Sequence, residues 1–421
     1  MLLVRRAENI ALITMLDSSQ TSPMLAAPLR IALLTYATKP RGSVIHTLEL
    51  ADALHQLGHS VCIYALDKDG RGFDRPLACD YHPVPARPAP APNSAPAPDS
   101  IDRLIQQRIQ EFVDYLSQFP NQAPHSRDIY HAQDCISANA LVLLRQQIPI
   151  PHIVRTVHHI EDYNSPYLQQ CQDRSIRAAD LCLCISQHWQ TEVLQQYDII
   201  APRVLNGINT DRFSAIPTGA EPTLKQRWGL TGQPIYLTVG GIEPRKNSID
   251  LLHAFQQVLI HYPHAQLVIA GGATLFDYQS YRDQFFALAA QLGIEIGTSL
   301  ILPGVIAEAD LPALYRTANA FVFPSLKEGW GLVVLEAIAS GLPVITANQP
   351  PFTEFLTPTQ ALLVDPRDPA AIAQAMLDVV QPAIAQSLIQ QSQSICQRYT
   401  WHTSAQLHVE QYEKLMLKEK E

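Results

Sequence analysis

Two glutamates and a lysine carry the chemistry that this sequence suggests. Glu328 and Glu336 stand in the run F-V-F-P-S-L-K-E-G-W-G-L-V-V-L-E-A-I-A-S-G-L-P-V-I-T, which begins at Phe321. The apolar residues 321–323 predict a buried strand that delivers a loop with Glu328 at its tip. Gly329 and Gly331 allow a tight turn and close approach of the backbone to a ligand. A helix opening at Leu332 would turn its free N–H groups and positive dipole end toward that ligand, which makes an anion site. Glu336, one turn into the helix, is poorly placed for a phosphate but well placed to accept hydrogen bonds from a ribose diol beside it. Gly341 closes the helix and Pro343 follows it. The spacing of the glutamates means little by itself; the strand, the glycines and the helix stop give it weight.

A second piece is V-G-G-I-E-P-R-K-N at 239–247, again between an expected strand and an expected helix. Gly240 and Gly241 permit a close turn, and Lys246 can reach into a cleft. A departing diphosphate gathers negative charge on the oxygen that leaves the sugar. A cation held there stabilises the transition state more than the ground state. Arg245 and Lys246 sit at a helix start, where the dipole disfavours cations, so a task beyond surface charge is expected.

The elements that must position these residues read as two repeats. Residues 30–36 form the first strand, a loop follows over 37–43, and Val44, Leu48, Ala51 and Leu54 mark one face of a helix that stops at Gly58. A strand at 61–65 completes a βαβ unit, which implies a parallel sheet. Residues 82–100, dense in proline and alanine, read as a surface insertion unable to form a sheet interior. A helix then packs Ile101, Leu104, Ile105, Phe112, Val113 and Leu116 inward, with Asp102, Arg103, Arg108, Glu111 and Asp114 on its polar face. Further strands are expected at 129–131, 152–156 and 181–185. After a turn at Asn206-Gly207 the pattern restarts with strands at 235–239, 266–270, 300–302, 320–323, 344–345 and 361–364. Two doubly wound α/β domains facing one another would place a ligand between them, beyond the carboxyl ends of the strands. The expected division is an N-terminal extension over 1–28, one domain over 29–204, a second over 205–395, and a final helix over 396–421 returning to the first domain.

Bulk properties exclude several alternatives. A chain of 421 residues is long enough for two cores, and a formal net charge of −9 argues against nucleic acid as the main partner. The seven cysteines are scattered, with no C-x-x-C pair, so neither a disulfide framework nor a zinc site is suggested and a reducing cytoplasm fits. No stretch approaches the ~20 apolar residues that span a bilayer, although peripheral membrane contact stays open. Residues 1–23 resemble neither a cleavable leader nor a span.

With these residues in view, the chain from Arg30 onward resembles the large retaining glycosyltransferase family 4, of GT-B fold. The resemblance rests on Gly240 and Lys246, on Glu328-Gly329-Trp330-Gly331-Leu332 with Glu336, and on Gly304-Val305, Ser340-Gly341-Leu342-Pro343 and Asn206-Gly207. In the first half it rests on Gly42 ahead of His46 and Glu49, on His131-Ala132-Gln133-Asp134, and on Thr156-Val157-His158. It implies a nucleotide-diphosphate sugar as donor, no cofactor and no metal. It implies that Lys246 meets the diphosphate, Glu336 the ribose and Glu328 the sugar, with Gly331 and Leu332 amides beside them and Val305 near the base. His158 would face the donor sugar from the first domain. Gly42 and Ser43 line the first loop, and Asp134 could orient an acceptor hydroxyl. Only one of His158 and His159 is expected to face the cleft, and His131 is expected to be structural.

Two departures stand out. Many members have arginine at the position of Gly241, a role that Arg245 could take, and many have a second glycine where Ser43 stands. A GT-B epimerase, a phosphorylase-like enzyme and a non-catalytic nucleotide-sugar binder remain alternatives. A nicotinamide-dependent oxidoreductase is disfavoured, because T-Y-A-T-K-P-R-G-S replaces G-x-G-x-x-G after the first strand.

Overall fold

The computed structural model describes residues 27–88, 100–118, 126–272 and 278–418. Most of the expected extension over 1–28, and residues 89–99 of the expected insertion, lie outside them. The first half runs β1 (Arg30–Thr35), α1 (Gly42–Gln56), β2 (Ser60–Asp67), β3 (Asp80–Pro85), α2 (Ser100–Leu116), β4 (Ile129–Ala132), α3 (Cys135–Leu144), β5 (Ile153–Val157), α4 (Pro166–Arg177), β6 (Leu181–Cys184) and α5 (Gln187–Tyr197). The second half runs α6 (Glu221–Trp228), β7 (Ile235–Val239), α7 (Ser248–His261), β8 (Gln266–Ala270), α8 (Gln279–Gln291), β9 (Leu300–Gly304), α9 (Leu311–Thr317), β10 (Ala320–Phe323), α10 (Leu332–Ala339), β11 (Val344–Ala347) and β12 (Leu362–Val364). Three helices close the chain: α11 (Pro369–Val379), α12 (Pro382–Arg398) and α13 (Trp401–Lys418).

Each half builds a six-stranded sheet, ordered β3-β2-β1-β4-β5-β6 and β9-β8-β7-β10-β11-β12. Counted within each half, both follow the order 3-2-1-4-5-6, and every pairing is parallel. The strands read as apolar runs because helices cover both faces; residues 31–34, for example, are wholly buried. Strand order reverses between β1 and β4 and between β7 and β10. Loops leaving those strands part to opposite faces there, which opens a crevice at their carboxyl ends. This is the GT-B architecture that the strand pattern implies.

Two expectations need correction. Residues 82–85 do join the sheet: β3 pairs with β2 through His82 with Tyr64 and Pro85 with Asp67. Proline is tolerated because β3 is an edge strand, which needs its N–H groups on one side only. Arg108 and Glu111 are not on a solvated face. Both are buried, 2.8 Å apart, and Glu111 accepts from the Arg87 amide while Arg108 donates to the Arg87 carbonyl. The pair thus ties down the chain that leaves β3.

Helix α13 packs against the first half. Its Trp401 ring meets His46 edge-on at 5.5 Å, and its Tyr412 hydroxyl lies 2.7 Å from His131 Nδ1. Among the described residues no single helix is long and apolar enough to cross a membrane.

Candidate active site

A cleft of about 580 Å³ lies between the two halves, and every sequence-predicted site residue lines it. Gly42, Ser43, Asp134 and His158 come from the first half. Gly240, Arg245, Lys246, Val305, Glu328, Gly331, Leu332 and Glu336 come from the second.

On the second half, the turn after β7 carries Lys246 on a short 3₁₀ turn, Pro244–Lys246, directly before α7. Its ammonium lies 2.6 Å from Glu328 Oε1 and 4.4 Å from the centre of the Phe323 ring. Arg245 Nη1 reaches the same Glu328 oxygen at 3.0 Å, and its Nε lies 3.0 Å from Glu243 Oε2. Ser325 Oγ adds a third donor to Glu328 at 2.8 Å. Burial alone would raise the Glu328 carboxyl, but Lys246, Arg245 and these hydrogen bonds outweigh it and hold it below its ordinary value. Burial, helped by Arg245, lowers Lys246. The result is two cations gathered on one carboxylate at the cleft wall.

The missing arginine at 241 now has a physical reason. A Cβ on Gly241 would sit 2.5 Å from the Gly272 carbonyl and 2.9 Å from Glu243 Oε1, so no side chain fits there. Arg245 brings its guanidinium in from four residues later.

The helix expected after Glu328 opens at Leu332, with Gly331 as its N-cap at φ +102°, a conformation that requires glycine. Gly331, Leu332 and Val333 line the cleft, and no side chain caps the helix start. Glu336 is buried one turn further and accepts from the Tyr315 hydroxyl at 2.7 Å. Burial lifts its carboxyl to about 7, only partly opposed by that hydrogen bond. Val305, 65% exposed, follows Gly304 at the far end of the wall and offers an open apolar surface for a flat ring.

On the first half, His158 is buried and its Nε2 lies 3.1 Å from Gln133 Oε1. Burial, with His46 and Arg155 nearby, lowers its pKa well below the ordinary value, so the imidazole is neutral at neutral pH. His131 bridges Tyr412 and Thr156 at 2.7 Å each, the structural task expected of it. His158 and His159 both line the cleft, contrary to the expectation of one. Strand alternation does not apply, because β5 ends at Val157. His159 is held 2.6 Å from Glu161. Asp134 caps α3, with Oδ1 accepting from the Ser137 amide at 2.8 Å and Oδ2 from the Tyr36 amide at 2.9 Å. Each oxygen thus accepts from one backbone amide, which ties the loops after β1 and β4 together. A Cβ on Gly42 would meet nothing within 4 Å, which leaves room for a ligand above the start of α1.

The halves meet at the glutamate loop. The Trp189 indole donates to the Glu328 carbonyl at 2.9 Å, and the His158 carbonyl lies 2.6 Å from where a Cβ of Gly329 would be. Glu354 from the second half caps α5 of the first, accepting from the Gln187 and His188 amides. Trp189, Tyr315, Glu243 and Ser325 were not singled out from sequence. Two of them offered a signal: Ser325, three residues before Glu328, and Glu243, two before Arg245 in the same run.

Residues 40–212 match the model of Glycosyltransferase Family 4, and residues 221–393 match that of Glycosyl transferases group 1. The chain belongs to the family 4 glycosyltransferases of GT-B fold. It is 29% identical to O-antigen chain mannosyltransferase B of Escherichia coli over 55% of its own length and 63% of that protein. It spans only 29% of the E. coli serotype-specific mannosyltransferase WbdA that it also matches. It is 24% identical to mannosylfructose-phosphate synthase of Agrobacterium fabrum, covering 78% of this chain and 76% of that one. Among solved structures, sucrose-phosphate synthase from Thermosynechococcus elongatus superposes with a TM-score of 0.73 at 23% identity, over 93% of this chain and all of that one. Anabaena HepE in complex with UDP-glucose superposes with a TM-score of 0.70 at 18% identity, again over 93% and 100%. At these identities the structural likeness speaks for the fold.

Proposed function

We propose that this family 4 member transfers a hexose-type glycosyl group from a nucleotide-diphosphate sugar to an acceptor hydroxyl, with retention at the anomeric carbon. The observation that carries the reading is the convergence of Arg245 Nη1 and Lys246 Nζ on one oxygen of Glu328, beside the uncapped mouth of α10. Without donor, Glu328 neutralises both cations. With donor, the diphosphate takes the cations and the α10 amides, and Glu328 turns to the sugar hydroxyls. Glu336 accepts from the ribose, and Val305 lies along the base. His158, neutral and fixed from the opposite half, accepts from or donates to the sugar without adding charge.

In the reaction the bond from the anomeric carbon to the diphosphate oxygen breaks. A bond to the acceptor oxygen forms on the same face, and the leaving diphosphate takes the acceptor's proton. Arg245 and Lys246 act where negative charge grows, so their stabilisation is greatest in the transition state. The names of the mannosyltransferase and mannosylfructose-phosphate synthase relatives support a hexose, and the UDP-glucose complex of a GT-B neighbour supports a nucleotide sugar.

The test is incubation with UDP-, GDP- and ADP-sugars, following nucleotide diphosphate release and the shift in melting temperature. One nucleotide should stabilise the chain and its sugar should turn over. A chain whose melting curve responds to none of them does not have this function.

A further inference from the structure

The first half of the cleft holds a positive charge that the donor does not use. Arg155 is the middle residue of β5, I-V-R-T-V, an otherwise uncharged strand buried along its whole length. It is 7% exposed and lines the cleft. Its Nη1 donates to the Thr156 carbonyl, while its Nε is buried with no acceptor. Among the described residues it joins no salt bridge, which is true also of the buried Arg127, but Arg127 lies outside this cleft. Asp134, the carboxylate that shares this wall, accepts a backbone amide on each oxygen. The Asp134 carboxylate acts on Arg155 through space without a direct ion pair, so this buried guanidinium, with five donors and one hydrogen bond, keeps donors that something else must complete.

The surroundings show what that could be. The donor's diphosphate is met on the opposite wall by Arg245 and Lys246, which have their own carboxylates. Arg155 stands three residues before His158, on the wall where an acceptor must lie to reach the anomeric carbon. Arg41, at the start of α1, lines the same wall, and Leu104, Ile105 and Leu168 add an apolar ledge beside it. We infer that the acceptor carries a phosphate group, which Arg155 binds from the first half of the cleft. This inference deepens the proposed function and rests on it. The phosphate supplies the acceptors that the guanidinium lacks, and the bidentate geometry of the pair fixes the acceptor hydroxyl relative to the donor. The phosphate could belong to a soluble sugar phosphate or to a lipid phosphate using the apolar ledge.

The experiment is calorimetric titration of the full chain with inorganic phosphate, then with the pairs glucose 6-phosphate and glucose, and farnesyl phosphate and farnesol. It is run with the donor side filled by a nucleotide diphosphate and again in a double variant, Arg245→Ala with Lys246→Ala, so that the donor cations do not contribute. The phosphorylated member of at least one pair should bind about tenfold or more tightly than its neutral partner. Which pair shows the preference tells a soluble from a lipid source. Arg155→Gln should remove the preference and leave nucleotide affinity as it was, and Arg155→Lys should keep part of it. Equal binding of both members of each pair by the wild-type chain would overturn the inference, as would an undiminished preference in a folded Arg155→Gln. The wild-type comparison stands even where Arg155→Gln fails to fold. Failure of every nucleotide to bind would defeat the proposed function instead, and the phosphate titration in the double variant would still judge Arg155.

Discussion

The two halves of this protein share one strand order and turn the same edge toward the cleft, yet they present opposite chemistry. In the second half the side chains stand on tight turns and are charged: Arg245 and Lys246 against Glu243 and Glu328. In the first half the cleft carries the imidazole of His158 beside Arg41 and Arg155, and buried histidines adjoin it: His46 on α1, His131 on β4 and His408 on the returning α13. Burial lowers His46 to about 4 and His408 to about 3, and carries His131 and His158 well down, each with a hydrogen-bond partner. Topology therefore fixes where a ligand lies and says nothing of its charge. Charge is set by which side chains the loops can hold: exchangeable ion pairs on the second wall for a diphosphate, and one fixed neutral imidazole, His158, on the first wall for a hydroxyl.

The largest break in that contrast should come from Lys246→Ala. Removing the cation nearest the departing diphosphate should lower kcat/KM by roughly a hundred- to a thousandfold, as loss of a preorganised transition-state contact does. The fold should survive, because Glu328 keeps Arg245 and Ser325 as partners. Steady-state kinetics beside a melting curve tests both statements. A loss confined to KM would mean that Lys246 serves ground-state binding alone.

Glu328→Gln sharpens the same wall. Glu328 occupies the two cations when no donor is present, so it competes with the diphosphate. Neutralising it should drop turnover by about tenfold to a hundredfold while nucleotide diphosphate affinity holds or rises. Parallel loss of turnover and affinity, measured by kinetics and calorimetry, would contradict the exchange of partners between Glu328 and the diphosphate.

Much of the second half was legible because its chemistry depends on backbone features that sequence displays. Gly331 must be glycine for its φ, Gly329 for the approach of His158, and the strands flanking both loops are apolar runs. The first half was less legible. Gln133 and Tyr412 reach the histidines across 25 and 281 residues of chain, and no local pattern announces such partners. Arg155 is a single charge within the expected strand at 152–156 and belongs to no motif. The inward turn of Arg108 and Glu111 was missed for the same reason: each is polar alone, and only their pairing with the Arg87 backbone lets them be buried. The edge position of β3 likewise depends on which strand it finds.

A smaller effect, with a distinctive pH signature, is expected at Glu336. Its folded pKa of about 7 exceeds the ordinary 4.5, so the folded chain holds this proton more tightly than the unfolded one. The stability it contributes is complete below the unfolded value and is lost as pH rises through about 7. A ribose diol donates to the ionised form, so nucleotide affinity should run the other way and rise from about pH 6 to about pH 8. Glu336→Gln should weaken nucleotide binding about tenfold and abolish its pH dependence, while flattening the fall in melting temperature. A pH profile unchanged by the substitution would place the titrating group elsewhere.

The smallest change expected is in Tyr412→Phe, and it asks what keeps the buried histidines neutral. The hydroxyl is the link between α13 and His131, and its loss leaves a buried ring nitrogen without a partner at a cost of about 1–2 kcal/mol. If burial is what depresses the histidines, as the geometry holds, then nucleotide affinity and the pH dependence of turnover should stay as in the unaltered chain while the melting temperature falls. Should the pH profile shift instead, the hydrogen bond from the returning helix, and not exclusion of water, sets the charge of the buried histidines. The contrast between the halves would then be one of partners across the chain and not of depth.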